Sequence, residues 1–218
     1  KLYADDGKKY VSDVINESGV RLFLTIIPSK YKKQVLDLIT GMLDPIDEQS
    51  KRKAYQLYKT NLISEDEVGK TISLQKIHAY IFEGLYDFAG KIRTKTISKG
   101  GFIFANGDFL PQTLLQIDKM PQSTFDEIVE KYVEMNIAHP FMEGNGRATR
   151  IWLDLIFIKE LKECIDWSKI DKKDYFDAMM LSPNSDVKIK ELLKDALTDE
   201  IDNRELFLKG IDASYYTT

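Results

Sequence analysis

Apolar positions recur at helical spacing over most of this chain. The stretch 148–162 (ATRIWLDLIFIKELK) has no Gly or Pro, is strongly apolar and reads as a buried helix. Further helices are predicted over 30–43, 46–62, 73–82, 110–119, 123–137, 172–181, 187–196 and 202–216. Ser123, ahead of Asp126 and Glu127, and Ser73, ahead of a run of good helix formers, are the expected caps. Asp44-Pro45 breaks one helix, and Pro183-Asn184-Ser185-Asp186 reads as a turn that caps another. Two β-prone stretches, 93–98 and 102–105, flank Lys99-Gly100-Gly101, which reads as a hairpin turn. Residues 7–12 fit either a loop or a short strand. The predicted fold is all-α, a helical bundle with one short β-hairpin. A soft boundary between 45 and 63 separates a helical appendage of unassigned role, 1–62, from the main domain, 63–218.

The densest chemistry lies at His139-Pro140-Phe141-Met142-Glu143-Gly144-Asn145-Gly146-Arg147-Ala148-Thr149-Arg150, immediately ahead of the apolar helix. Phosphoryl or nucleotidyl transfer needs a base for the attacking hydroxyl, neutralisation of phosphate charge and usually a divalent metal. His139 is a candidate base, since imidazole titrates near neutrality. Glu143 is a hard oxygen ligand suited to Mg²⁺ beside phosphate oxygens. Gly144 and Gly146 permit close backbone approach and positive φ. Asn145 offers an amide. Arg147 and Arg150 offer planar forks on one helix face. Unpaired N–H groups and the dipole at the helix start favour an anion there.

This stretch resembles the Fic (filamentation induced by cAMP) family signature, His-Pro-Phe-x-(Asp/Glu)-Gly-Asn-Gly-Arg-x-x-Arg, at every fixed position. The segments 85–90, 97–102, 132–138, 199–204 and 214–216 are also similar to Fic domains, so the resemblance covers roughly 63 to the C-terminus. It implies a Fic-type helical bundle and a protein adenylyltransferase, which moves AMP from ATP to a Tyr, Ser or Thr hydroxyl. By matched position, His139 would deprotonate the hydroxyl and Glu143 would hold Mg²⁺. Gly144, Asn145, Gly146 and Arg147 would cradle the phosphates, with Lys99 as a further contact, and Arg150 would hold the γ-phosphate. Lys99, Gly100, Gly101 and Phe102 would form the flap that aligns a target segment by strand pairing. Relatives carry an inhibitory Ser/Thr-x-x-x-Glu whose Glu pairs with the second arginine. Here Ser214 opens the matching place and Thr218 stands where that Glu would be. The expectation is an unclamped Arg150, with a separate antitoxin as one source of the missing glutamate. In small bacterial relatives the targets include type II topoisomerases and growth arrest follows, which implies a toxin-like role. That class can also self-assemble, with 202–216 as a candidate homo-oligomer surface.

Each residue also has a plainer reading. Glu143 could serve only the helix dipole, Arg150 could be a surface residue, and Lys99 could be an ordinary turn lysine. Tyr215 and Tyr216 could be packing residues, although a mobile tail tyrosine such as Tyr215 near the site would be a self-modification target. His78, the second of two histidines, lies in a helical pattern and reads as a packing or hydrogen-bonded residue. Asn184 and Asp186 are candidate contributors to an adenine pocket. A Fic-fold transferase using UMP or phosphocholine, or a non-catalytic regulator, is the alternative function. Intact Asn145-Gly146-Arg147 favours nucleotidyl over phosphoryl transfer, and intact His139, Glu143 and Arg150 argue against a non-catalytic role.

Composition adds bounds. The chain has 218 residues and a net charge of −4, so it has no general attraction for nucleic acid. Its one cysteine, Cys164, forms no internal disulfide and fits a reducing, cytoplasmic setting. No apolar run reaches membrane-span length, and Asp5 and Asp6 ahead of 22–28 argue against a secretory signal. The first residue is Lys1, which leaves room for residues upstream.

Overall fold

The computed structural model describes residues 2–3, 9–10, 28, 45–99 and 101–215. The chain divides into two compact units, Lys1–Pro45 and Ile46–Thr218. In the first, β1 (Leu2–Tyr3) pairs antiparallel with β2 (Lys9–Tyr10), so a short strand lies within 7–12. The helix expected over 30–43 lies outside the described residues.

The second unit is helical, as the apolar periodicity predicts. Its helices are α1 (Pro45–Tyr55), α2 (Thr71–Phe82), α3 (Leu110–Asp118), α4 (Phe125–Ala138), α5 (Asn145–Leu161), α6 (Lys172–Leu181), α7 (Val187–Asp195) and α8 (Arg204–Tyr215). Two small hairpins accompany them: β3 (Ser98–Lys99) with β4 (Phe102–Ile103), and β5 (Cys164–Ile165) with β6 (Leu197–Thr198). Among the described residues, no helix is long and apolar enough to cross a membrane.

Helix α5 is the hub. It packs on α2, α4 and α8, and it buries Ala148, Ile151, Trp152, Leu153, Ile156 and Phe157. Burial of such side chains contributes about 1.5–3 kcal/mol each and drives the assembly. Trp152 is fully buried and its indole donates to Ser73 Oγ at 3.1 Å. Ser73 is therefore an interior partner, and the N-cap of α2 is Lys70. Thr124, rather than Ser123, caps α4, in a capping box with Glu127. Asp186 occupies the N-cap of α7 without a side-chain cap bond.

Two other boundaries shift for local reasons, and one strand pair is additional. Helix α1 stops at Tyr55 instead of running to 62; turns follow, and Lys59 takes φ +53°. The β-prone stretch 93–98 is mostly irregular. Arg93 N–H bonds to the Pro140 carbonyl at 2.9 Å instead of to a neighbouring strand, and only Ser98–Lys99 pair. The second hairpin, β5–β6, joins segments more than thirty residues apart, as its register Cys164↔Thr198 shows, so no local turn signal announces it.

Candidate functional site

The helix α5 begins at Asn145, inside the predicted signature and three residues before the apolar run. Arg147 and Arg150 therefore sit in its first two turns. Gly144 is the N-cap, with φ +80°, and a Cβ there would meet Phe82 Cε2 at 2.4 Å. Only glycine fits this position. Gly146 is different from the expectation: it is helical, has no positive φ, and a Cβ there would meet nothing within 4 Å. Asn145 is buried, and its amide is spent on the turn itself. Oδ1 accepts from Phe141 N–H at 2.8 Å and Nδ2 donates to the Phe141 carbonyl at 2.7 Å.

His139 ends α4 as its C-cap in the left-handed region, at φ +48°. Its ring stacks on Phe104, with centroids 3.7 Å apart. Nδ1 lies 3.3 Å from the Asn136 carbonyl, which can only accept, so Nδ1 carries the proton and Nε2 the lone pair. Burial is the main reason that its pKa falls to about 4, and the nearby Arg93 charge adds to the shift. The imidazole is thus neutral at physiological pH.

Two buried side chains that the motif does not contain hold this turn. Arg93 is 3% exposed and fans its guanidinium onto four carbonyls: His139 at 2.7 Å, Ala138 at 2.9 Å, Ala105 at 2.7 Å and Lys95 at 2.5 Å. His78 fits its predicted packing and hydrogen-bonding role. Its Nδ1 accepts from Gly90 N–H and its Nε2 donates to the Glu143 carbonyl, both at 2.9 Å, while its ring stacks on Phe141 at 3.8 Å. Burial lowers its pKa to about 4.

The charged groups divide the work. Glu143 Oε1 accepts from Gly144 N–H at 2.9 Å and lies 3.4 Å from Arg147, while its side chain stays half exposed. Arg147 is buried, ion-paired with Asp47 of α1, and stacked between Phe82 (4.8 Å) and Tyr215 (5.5 Å). Arg150 lies 4.5 Å over the Tyr175 ring and 5.2 Å from Trp167, with one amino group 3.4 Å from the Ala213 carbonyl. The hydroxyls of Tyr132 and Tyr175 pair with each other and lie against its guanidinium.

A cavity of about 670 Å³ brings together His139, Glu143, Gly144, Asn145, Gly146, Arg147, Arg150, Lys99 and Phe102. That volume lies within the range that small-molecule and cofactor ligands occupy. Phe176, Met179, Met180 and Pro183 form an apolar side of it. From the turn after α6 only Pro183 lines the cavity; Asn184 and Asp186 do not, and Asp186 pairs with Lys190 at 2.7 Å. Among the described residues, no group of three or more His, Cys, Asp or Glu forms a metal cage. Glu143 alone fits Mg²⁺ in the way that cation usually binds, through one or two carboxylates with phosphates and water completing the shell.

The family model described as Fic/DOC matches residues 71–157, from the start of α2 to Phe157. The chain carries a Fic domain. Among curated relatives, the protein adenylyltransferase VbhT of Bartonella schoenbuchensis is 28% identical over 169 residues, which is 71% of this chain and 34% of that protein. The probable protein adenylyltransferase Fic of Escherichia coli K12 is 24% identical over 143 residues, 61% of this chain and 71% of that protein. This chain thus spans only about a third of VbhT. Among solved structures, the BepC effector protein of Bartonella tribocorum with bound AMPPNP aligns with a TM-score of 0.61 at 18% identity, over 71% of this chain and 85% of that one. The Fic domain of Bep8 from Bartonella sp. 1-1C aligns at 0.62 and 16% identity, over 81% and 90%. At these identities the structures establish the fold.

Within the Fic domain, the β3–β4 hairpin places Lys99 and Phe102 on the cavity, and Gly101 turns at φ +83°. Gly100 lies outside the described residues, as do Tyr216 and Thr218. Phe102 meets Phe104 edge-on at 5.1 Å, so an aromatic chain runs from the hairpin to His139. Tyr215 is no mobile tail residue. It is buried in the last turn of α8, and burial pushes its hydroxyl pKa up to about 12.

Proposed function

We propose that this chain is a Mg²⁺-dependent protein adenylyltransferase that transfers AMP from ATP to a Tyr, Ser or Thr hydroxyl of another protein. The observation that carries this reading is the meeting, in one cavity, of a neutral His139 with its Nε2 lone pair, the N-terminus of α5 and two buried arginines. The relatives named as adenylyltransferases support it.

In this reading the first-turn N–H groups of α5, which lack intrahelical acceptors, and Arg147 would bind the phosphates. Arg150 would take the γ-phosphate. Glu143 would hold Mg²⁺, which supplies further neutralisation of phosphate charge. His139 Nε2 would accept the proton of the target hydroxyl. The hydroxyl oxygen would then bond to the α-phosphorus as the bond to the bridging oxygen breaks, and pyrophosphate would leave. The hairpin beside Lys99 and Phe102 would present the target segment as an added strand. Buried Tyr215 favours modification of a separate protein over self-modification.

The test is a cell lysate incubated with the protein, ATP and Mg²⁺, beside His139→Ala and with UTP or CDP-choline in place of ATP. Peptides are scored for the mass of each transferred group. The expected result is an AMP adduct with wild type, reduced roughly 10²–10⁴-fold in the variant, the usual contribution of a general base. An undiminished adduct in His139→Ala, or adducts only from another donor, would refute this reading.

A further inference from the structure

Beyond the signature, α5 borders a second cavity, of about 260 Å³. Arg150 and Ser214 line both cavities; the second extends along α5 past Ile151, Asp154, Leu155 and Ile158. Its apolar walls include Leu57, Ile77, Phe207 and Ile211. A dry apolar cavity of about 150 Å³ accommodates benzene, so this one has room for a ring with a short arm.

Its charged groups are three carboxylates and two cations. Asp154 stands on the wall and accepts from Ile165 N–H at 3.0 Å and the Trp167 indole at 2.9 Å. Among the described residues no cation lies within ion-pair distance of it, and the Arg150 charge acts on it only from farther off, as the smallest of its influences. Burial pushes its carboxyl up to about 7, so an arriving cation would find a group ready to be held ionised. Glu200 and Asp202 also line the cavity. The two cations on its lining are already engaged: Lys59 pairs with Asp202 at 2.9 Å, and Arg150 sits among Tyr132, Tyr175 and Trp167. Three carboxylates against two committed cations leave a site complementary to one added positive charge.

One side of the cavity is lined by exposed residues. Tyr58 donates to the Asp202 carbonyl at 2.5 Å and its ring lies 5.4 Å from Phe207. The Lys59–Asp202 pair beside it is well exposed, and such surface pairs hold little.

We propose that this cavity is a second ligand site, which takes a small primary amine with an apolar body, the ammonium on Asp154 and the body against Ile151, Leu155 and Ile211. The shape supplies the apolar contact and the unbalanced carboxylate supplies the selectivity. The site is independent of the group transferred at His139.

The test is titration of the intact chain with 2-phenylethylamine, its neutral isostere 2-phenylethanol, and phenylacetate, read by tryptophan emission. Trp167 lines the cavity and Trp152, the other tryptophan, is fully buried. Saturable binding is expected for the amine, at least about tenfold weaker binding for the alcohol, and none for the carboxylate. Asp154→Asn should make amine and alcohol equal, and Ile158→Phe, which fills the cavity, should remove saturation by both. No saturation by the amine, an alcohol or carboxylate that binds as tightly, a preference that survives Asp154→Asn, or binding retained in Ile158→Phe would each overturn the proposal. Should Asp154→Asn not fold, the wild-type order together with Ile158→Phe decides by the same criteria.

Discussion

Arg93→Ala should cost this Fic domain far more than a typical substitution, and the structure says how much. The side chain is 3% exposed, and its four hydrogen bonds all end on backbone carbonyls of the turn that carries His139 or of the irregular segments that flank the β3–β4 hairpin. A net contribution of about 1.5–3 kcal/mol per charge-assisted bond sets an upper bound of roughly 6–12 kcal/mol. Water entering the vacated space will rehydrate part of that. Removing one side of a buried charged network usually costs about 3–5 kcal/mol, and a loss near 4 kcal/mol is expected. For a unit of this size that lowers Tm by about 8–16 °C. Arg93→Lys, whose single ammonium cannot span the fan of carbonyls, should fall in between. Denaturant melts of the three proteins measure the loss. NMR titration of His139 supplies a second readout: its pKa should rise in Arg93→Ala, because a nearby positive charge is gone, and stay below the usual 6.5, because burial is the larger cause. A loss under about 1 kcal/mol, or an unmoved His139 pKa, would refute the view that Arg93 holds the turn.

Three further outcomes are expected. His78 and His139 are both held near pKa 4, against 6.5 when exposed, so between these values the unfolded chain binds more protons and stability rises with pH. Melts from pH 7 down to pH 4 should show a loss on the order of 3 kcal/mol per histidine, and His78→Gln should flatten that slope by about half. The two signature glycines should separate: Gly144→Ala, at positive φ and against Phe82, should destabilise by about 2 kcal/mol or more, while Gly146→Ala should melt no lower than wild type and bind ATP more weakly in calorimetry. Asp47→Asn, which releases one amino group of Arg147 from its carboxylate and removes a negative charge beside the cavity, should tighten ATP binding at least about threefold; weaker binding would mean that Asp47 orients the arginine for its ligand.

The helices and the signature were legible because their information is local. A 3.6-residue apolar period predicts α2 to α8 to within a few residues, and the residue types from His139 to Arg150 lie in one short segment. The groups that hold the site are distant in sequence. Arg93 reaches a carbonyl 46 residues away, His78 one 65 residues away, and Asp47 an arginine 100 residues away. An arginine in a β-prone stretch, or an aspartate two residues after a proline, carries no local signal of such a partner. Phe104 could have been suspected from its place in the hairpin, but not its stack on His139.

The distant contacts share a chemical logic. Arg93 and His78 both hold the turn through backbone carbonyls, at His139 and at Glu143, and Asn145 holds it through the backbone of Phe141. A turn held by its backbone leaves the His139 ring nitrogen, the second oxygen of Glu143 and the first N–H groups of α5 for a ligand. It also tolerates His139 in a left-handed conformation that costs on the order of 1–3 kcal/mol, because several bonds determine that conformation together. The two arginines then differ in their surroundings. Arg147 is paired with a carboxylate that a phosphate would have to displace, whereas Arg150 lies against the rings of Tyr175 and Trp167 and the hydroxyls of Tyr132 and Tyr175. Nucleotide binding should therefore respond to changes at Asp47 through electrostatics, and to changes at Tyr175 through the position of Arg150.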